Sequence, residues 1–211
     1  MNQPLNRPSG WLVLVPTQLE RKHLGLDIDV PVEICGFGPV AAAARTSTLI
    51  AECQPQQIML VGIAGAYADR LQIGMAYEFD RVRCVGVGIG GDQQHISAGE
   101  AGWMHYPPSQ IGDELTLATS RTDQPTSGCL LTVCAAAADS GEAANRIARH
   151  PDALAEDMEG FGVATAAAIA GEPLHIVRGI SNTAGQREHS SWQIEPAMLA
   201  ASALASSIMQ K

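Results

Sequence analysis

Ala153-Leu154-Ala155-Glu156-Asp157-Met158-Glu159-Gly160 and Leu174-His175-Ile176-Val177-Arg178-Gly179-Ile180-Ser181-Asn182 decide the reading of this chain. In each, a short apolar run ends in polar groups, and the small-residue stretch Val163 to Ala170 lies between them. Strand, helix, strand is the pattern that follows: short apolar runs suit buried strands, and an Ala-rich stretch without a breaker suits a helix. In an open α/β sheet, ligands collect outside the ends of strands. Chemistry is therefore expected at 156–160 and 178–182.

The same alternation extends outward. Trp11-Leu12-Val13-Leu14-Val15, bounded by Gly10 and Pro16, reads as a strand buried on both faces, and Val32-Glu33-Ile34-Cys35 as a second that ends at Gly36-Phe37-Gly38-Pro39. Val40 to Cys53 predicts a helix. Ile58 to Val61 returns to strand character and runs into a small-residue loop, Gly62-Ile63-Ala64-Gly65-Ala66, that would let a ligand approach the backbone. Gly74 to Val87 reads as another strand region, Gly88 to Gly128 as a loop or lid with short strands, and Cys129 to Cys134 as a strand. Gly141 to Arg149 and Glu195 to Gln210 read as helices. The expected fold is α/β, a central mixed, mostly parallel sheet flanked by helices.

At 211 residues a single domain, 1–211, is expected, with the polar, Pro-bearing Met1 to Gly10 as a flexible leader. Thirteen basic against 22 acidic residues give a net charge of -9, and no basic cluster offsets it, which argues against nucleic acid as a partner. No apolar run approaches the length of a membrane span, and the N-terminus lacks the layout of a secretion signal. The five cysteines, Cys35, Cys53, Cys84, Cys129 and Cys134, form no CxxC pair and read as reduced, buried thiols of a cytoplasmic protein. No His/Cys cluster has metal-ligand spacing.

Gly36-Phe37-Gly38 lacks the third glycine and the later acidic residue of a dinucleotide fingerprint, and alone it reads as a tight turn before a helix. Beside Gly62 to Ala66 it makes two small-residue loops at adjacent strand ends, a floor for a small ligand. Glu20 lies just past the first strand, where a carboxylate serves either as a general base toward water or as a first-turn helix residue. Glu159, between Met158 and Gly160 and before an apolar stretch, reads as a partly desolvated carboxylate without a cationic partner. Ribose hydroxyls would satisfy it.

Met158-Glu159-Gly160 and Arg178-Gly179-Ile180-Ser181-Asn182, with Gly36 to Ala42, Gly62-Ile63-Ala64-Gly65 and Glu20, resemble the purine nucleoside phosphorylase and nucleosidase superfamily. Within it the chain most resembles the futalosine hydrolases, relatives of the methylthioadenosine/S-adenosylhomocysteine nucleosidases that act in the alternative menaquinone pathway. The resemblance covers nearly the whole chain and implies a three-layer phosphorylase/hydrolase-like fold, a purine nucleoside substrate, no cofactor and a homodimer or higher homo-oligomer. It makes Glu20 and Asn182 catalytic: Glu20 would deprotonate the attacking water and Asn182 would hydrogen-bond the purine. Met158, Glu159, Phe161, Ile63, Ala64 and Gly65 would contact substrate, Glu159 through the ribose 2′ and 3′ hydroxyls. Arg187 would meet the carboxylate that futalosine carries.

Water suits the nucleophile better than phosphate, because the loops at 16–20, 36–40 and 62–66 hold no arginine and Glu20 would repel an anion. The carboxamide of Asn182 can serve hypoxanthine or adenine, and the resemblance favours hypoxanthine. Cys134 to Gly141 lacks the aromatic on which such nucleosidases often stack the purine, with Phe161 or Trp103 as substitutes. Two alternatives stay open: an adenosine-type nucleosidase and a catalytically silent nucleoside-binding protein.

Overall fold

The computed structural model describes residues 10–91, 94–120 and 128–211, so the expected leader lies outside it except for Gly10. The first half of the chain runs β1 (Trp11–Val15), α1 (Gln18–Lys22), β2 (Val32–Ile34), α2 (Pro39–Cys53), β3 (Gln57–Ala66), β4 (Ala76–Phe79) and β5 (Arg81–Val85). After β6 (Gly88–Ile89), β7 (Ile96–Ser97) and β8 (Glu114–Thr116) come β9 (Cys129–Val133), α3 (Ser140–Arg149), β10 (Ala153–Asp157), α4 (Gly160–Ala170), β11 (Leu174–Thr183) and α5 (Ile194–Met209).

Nine strands form one sheet in the order β2-β1-β3-β10-β9-β5-β8, with β11 paired to β3 and β4 to β11. The pairings of β1 with β2 and β3, of β9 with β5 and β10, and of β3 with β11 are parallel. Those of β3 with β10, β4 with β11 and β5 with β8 are antiparallel, so the sheet is mixed and mostly parallel, as expected. β6 and β7 pair separately.

Alternate residues of the central strands feed opposite layers. Leu12, Leu14, Ile58 and Leu60 pack with Leu49, Phe161 and Ala164 of α2 and α4 on one face. Val13, Val15, Met59 and Val61 pack with Met198, Ala201 and Ala205 of α5 on the other. Helix layers on both faces are why these strands read as unbroken apolar runs rather than alternating ones.

Three boundaries differ from the sequence reading. Gly62 to Ala66 is the second half of β3 and not a loop, because β11 pairs with it through Thr183. Gly74 to Val87 is two strands: β4 pairs with β11 and β5 with β9, so the chain changes place in the sheet at Asp80. β11 itself continues through Arg178 to Thr183, past the apolar run.

β3 positions the site. Along one edge it pairs with β11, while along the other its start meets β1 at Gln57 to Leu60 and its end meets β10 at Gly65 and Ala66. Among the described residues, Val61 to Ala64 have no strand partner on that second edge. Parallel β1 and antiparallel β10 diverge there and open a crevice, the kind of place where α/β sheets bind ligands.

Candidate active site

Two residues separate β1 from helix α1, which is capped by Thr17, whose Oγ1 accepts the Glu20 N–H at 3.3 Å and donates to Glu20 Oε2 at 2.6 Å. The capped first turn folds Glu20 back over the crevice, where Oε1 accepts the Ile63 N–H at 3.1 Å. Burial pushes the Glu20 carboxyl up, against the opposing pull of Arg178 and of the hydrogen bonds from Thr17 and Ile63. A carboxylate so placed is a stronger base than one in water.

Glu159 stands at the junction of β10 and α4 but does not cap its own helix. Its Oε1 instead accepts the N–H of Gly38 at 3.0 Å, at the start of α2, where the helix dipole favours negative charge. Gly38 has a φ of 82°, a left-handed conformation that aims this N–H and favours glycine. Desolvation raises the Glu159 pKa to about 7, with Arg178 pulling down and Asp157 pushing up.

Arg178 is the residue that sequence reasoning missed. Its side chain is fully buried, with Nε and Nη2 donating to Asp157 Oδ2 at 3.1 and 2.5 Å and Nη2 standing 3.8 Å from Glu159 Oε2. The expectation that Glu159 has no cationic partner is thereby corrected; the loops at 16–20, 36–40 and 62–66 hold no arginine, but Arg178 reaches in from β11. Burial works against the charge of Arg178, but Asp157, Glu159 and Glu20 outweigh it and raise its pKa. Nη1 is buried without a hydrogen-bond partner among the described residues. It occupies the space of a side chain at position 62: a Cβ on Gly62 would overlap Nη1 and stand 2.7 Å from Glu20 Oε1. The signal was the glycine opposite the arginine, Arg178 pairing with Gly62 in the β11–β3 register.

Asp157, unassigned from sequence, fixes this guanidinium, and it also accepts the Gly160 N–H at 2.9 Å and the Thr132 hydroxyl at 2.7 Å. A β-bulge places the last polar group. Ile180 faces Ala64 and Asn182 faces Gly65, so Ser181 is the extra residue that turns Asn182 toward the crevice. Asn182 Nδ2 donates to the Thr183 carbonyl at 2.8 Å and Oδ1 accepts from Ser181 Oγ at 2.8 Å. A carbonyl only accepts, so the amino group is the side facing it, and one N–H of that group remains for a ligand.

These groups surround a cavity of about 320 Å³ lined by Glu20, Ile63, Ala64, Gly65, Met158, Glu159, Asn182 and Arg187 among others. The expected site residues thus converge, with one exception. Phe161 does not line the cavity; it is 5% exposed in the core, its N–H donates to Thr132 Oγ1 at 2.7 Å, and its ring meets the edge of His105. Trp103 does not line it either. Aromatic surface comes from Phe37 and Trp192, with the Arg187 guanidinium 5.3 Å from the Trp192 ring centre and His189 beside it.

Thiol chemistry does not compete here: Cys35, close to these carboxylates, is pushed up to about 12 by burial. Elsewhere Glu114, Cys129 and Asp152 lie close enough to hold an ion, yet Arg81 and Arg83 already pair with both carboxylates. Among the described residues no helix is long and apolar enough to cross a membrane.

The family model of the phosphorylase superfamily matches residues 28–210. The chain belongs to the phosphorylase superfamily. A superfamily relative, futalosine hydrolase of Streptomyces coelicolor, is 31% identical over 173 residues, 78% of this chain and 72% of that protein. The superfamily fold is also that of futalosine hydrolase from Helicobacter pylori, with a TM-score of 0.74 at 16% identity over 95% of this chain and 97% of that one. A methylthioadenosine/S-adenosylhomocysteine nucleosidase of Colwellia psychrerythraea in complex with adenine gives 0.74 at 19% identity, over 98% and 97%.

Proposed function

We propose that the chain is a futalosine hydrolase, a purine nucleosidase that cleaves the N-ribosyl bond of futalosine with water. The products are hypoxanthine and dehypoxanthine futalosine, in the alternative menaquinone pathway. One observation carries the reaction class: two buried carboxylates, Glu20 and Glu159, flank the buried guanidinium of Arg178. The substrate rests on the likeness to the Streptomyces coelicolor enzyme.

Breaking an N-ribosyl bond builds positive charge on the sugar, as in glycoside cleavage. Glu159 accepts from the ribose hydroxyls, and these contacts strengthen as that charge develops. Glu20 takes the proton of the attacking water, while Arg178, fully buried behind the cavity lining, acts on Glu20 and Glu159 through its charge. Asn182 donates its spare N–H to the purine acceptors, which stabilises the leaving base. Phosphate is a poor nucleophile here: Asp157 already neutralises Arg178, and the Glu20 carboxylate beside the nucleophile would repel an anion.

Arg187, which has no carboxylate partner among the described residues and lies over Trp192, suits the carboxylate of futalosine. The exposed Leu19 and Phe37 on the cavity lining support a homodimer, the nine-stranded sheet supports a single domain, and the five free cysteines, of which Cys134 is exposed and Cys84 half-buried rather than buried as expected, support a cytoplasmic enzyme. Incubation with futalosine and with methylthioadenosine, with and without phosphate, tests the reading. Hypoxanthine and a free reducing sugar product, released at a rate indifferent to phosphate, are expected from futalosine. A sugar 1-phosphate, or faster release of adenine from methylthioadenosine, would overturn it.

A further inference from the structure

One wall of the cavity has no side chains with which to hold itself. Val133 and Ala136 line it, and the segment they belong to, Cys134-Ala135-Ala136-Ala137-Ala138-Asp139, leaves β9 and enters α3 as four consecutive alanines. Alanine offers no polar anchor and little apolar area, so the path of such a loop depends on where its backbone groups find partners. They find them on charged side chains of neighbouring elements. Glu156 Oε1 accepts the Ala137 N–H at 2.8 Å, Arg146 Nη2 donates to the Ala135 carbonyl at 2.8 Å, and Glu142 Oε2 accepts the Ala138 N–H at 2.8 Å.

The anchors are tied to one another. Arg146 Nη1 donates to Glu156 Oε2 at 2.6 Å, and its Nη2 donates to Glu142 Oε1 at 2.6 Å. Tyr67, the residue after β3, donates its hydroxyl to Glu156 Oε2 at 2.8 Å. Glu156 is itself a cavity residue on β10, two positions before Met158, and its side chain is 3% exposed. Strands β3 and β10 and helix α3 therefore meet at one carboxylate, and that carboxylate grips the loop on the cavity wall.

We propose that Glu156, with Arg146, is the positioning residue of this wall: the pair fixes the alanine loop at the distance a flat base requires. The proposal rests on the nucleosidase reading for the ligand but not for the clamp. Glu156 touches no reacting atom, so loss of the clamp weakens binding of the base while leaving the water-activating carboxylate Glu20 in place.

The test uses Glu156→Gln, Glu156→Ala and Arg146→Lys in the full chain. KM for futalosine and the Kd for hypoxanthine should rise by roughly tenfold or more in Glu156→Ala, with kcat changed less than about threefold. Glu156→Gln, whose carbonyl oxygen can still accept from Ala137, should recover part of that loss. Hydrogen exchange of the Ala135 to Ala138 amides should quicken in Glu156→Ala and in Arg146→Lys, while that of β3 does not. This readout stands whichever nucleoside the wild type cleaves, so failure of the substrate assignment and failure of the clamp are separable. Unchanged exchange in the loop, or equal losses in kcat and KM, would overturn the proposal. If Glu156→Ala does not fold, the exchange and KM of Arg146→Lys decide it by the same criteria.

Discussion

Glu20 Oε1 accepts the backbone N–H of Ile63 at 3.1 Å, a contact between residues 43 apart in the chain. It ties the first turn of α1 to the stretch of β3 that neither β1 nor β10 covers, and so holds the carboxylate over the crevice. Glu20→Gln keeps an acceptor for Ile63 but loses the base. Turnover should fall by roughly two to four orders of magnitude with KM near that of the wild type. Steady-state kinetics checks this, and near-normal kcat would remove Glu20 from the mechanism.

Glu159 links folding to pH. Its carboxyl is raised from 4.5 to about 7 in the folded state, so the native protein holds a proton there that the unfolded chain releases. That contribution is fully present below pH 4.5 and is lost as pH rises through 7. From pH 5 to 8 it amounts to roughly 2–3 kcal/mol. Glu159→Gln should flatten this part of the stability profile, measured by urea denaturation across that range. Parallel profiles for variant and wild type would contradict the assignment.

Gly62→Ala should be severe for a residue so small. The added methyl overlaps Arg178 Nη1 and presses on Glu20 Oε1, both of them buried and tethered. A destabilisation of about 1–3 kcal/mol is expected from overpacking, with a larger proportional loss in kcat because Glu20, which lines the cavity, is displaced together with Arg178. Alanine tolerated at 62 with full activity would mean that the packing of Arg178 against Gly62 does not hold Glu20 in its working position.

Asn182→Asp should move base selectivity. The native amino group faces the Thr183 carbonyl at 2.8 Å, a place where an ionised carboxylate oxygen would meet another acceptor. Hypoxanthine offers only acceptors at O6 and N7, whereas adenine offers an N6 donor. The ratio of kcat/KM for hypoxanthine over adenine nucleosides should fall by about tenfold or more. An unchanged ratio would show that Asn182 does not read the base.

Much of this site was legible because its parts sit at strand ends in recognisable order: Glu20 after β1, Met158 and Glu159 after β10, Asn182 near the end of β11. What was misread were the groups whose roles depend on partners distant in sequence. Arg178 looked like the polar end of a strand, yet its guanidinium lies buried against Gly62, Asp157 and Glu159. Phe161 follows the motif as closely as Met158 does, but the first turn of α4 aims its ring into the core, away from the cavity.

By itself the sequence determined the alternation of strands and helices and the burial of β1 on both faces, because apolar periodicity and helix propensity are local and each element carries its own record. Tertiary structure alone decided that Gly74 to Val87 splits into strands in two parts of the sheet, that β1 and β10 diverge along β3, and that a bulge at Ser181 turns Asn182 inward. Strand partners and register depend on contacts between residues far apart in the chain, and no local pattern records which edge a strand will meet.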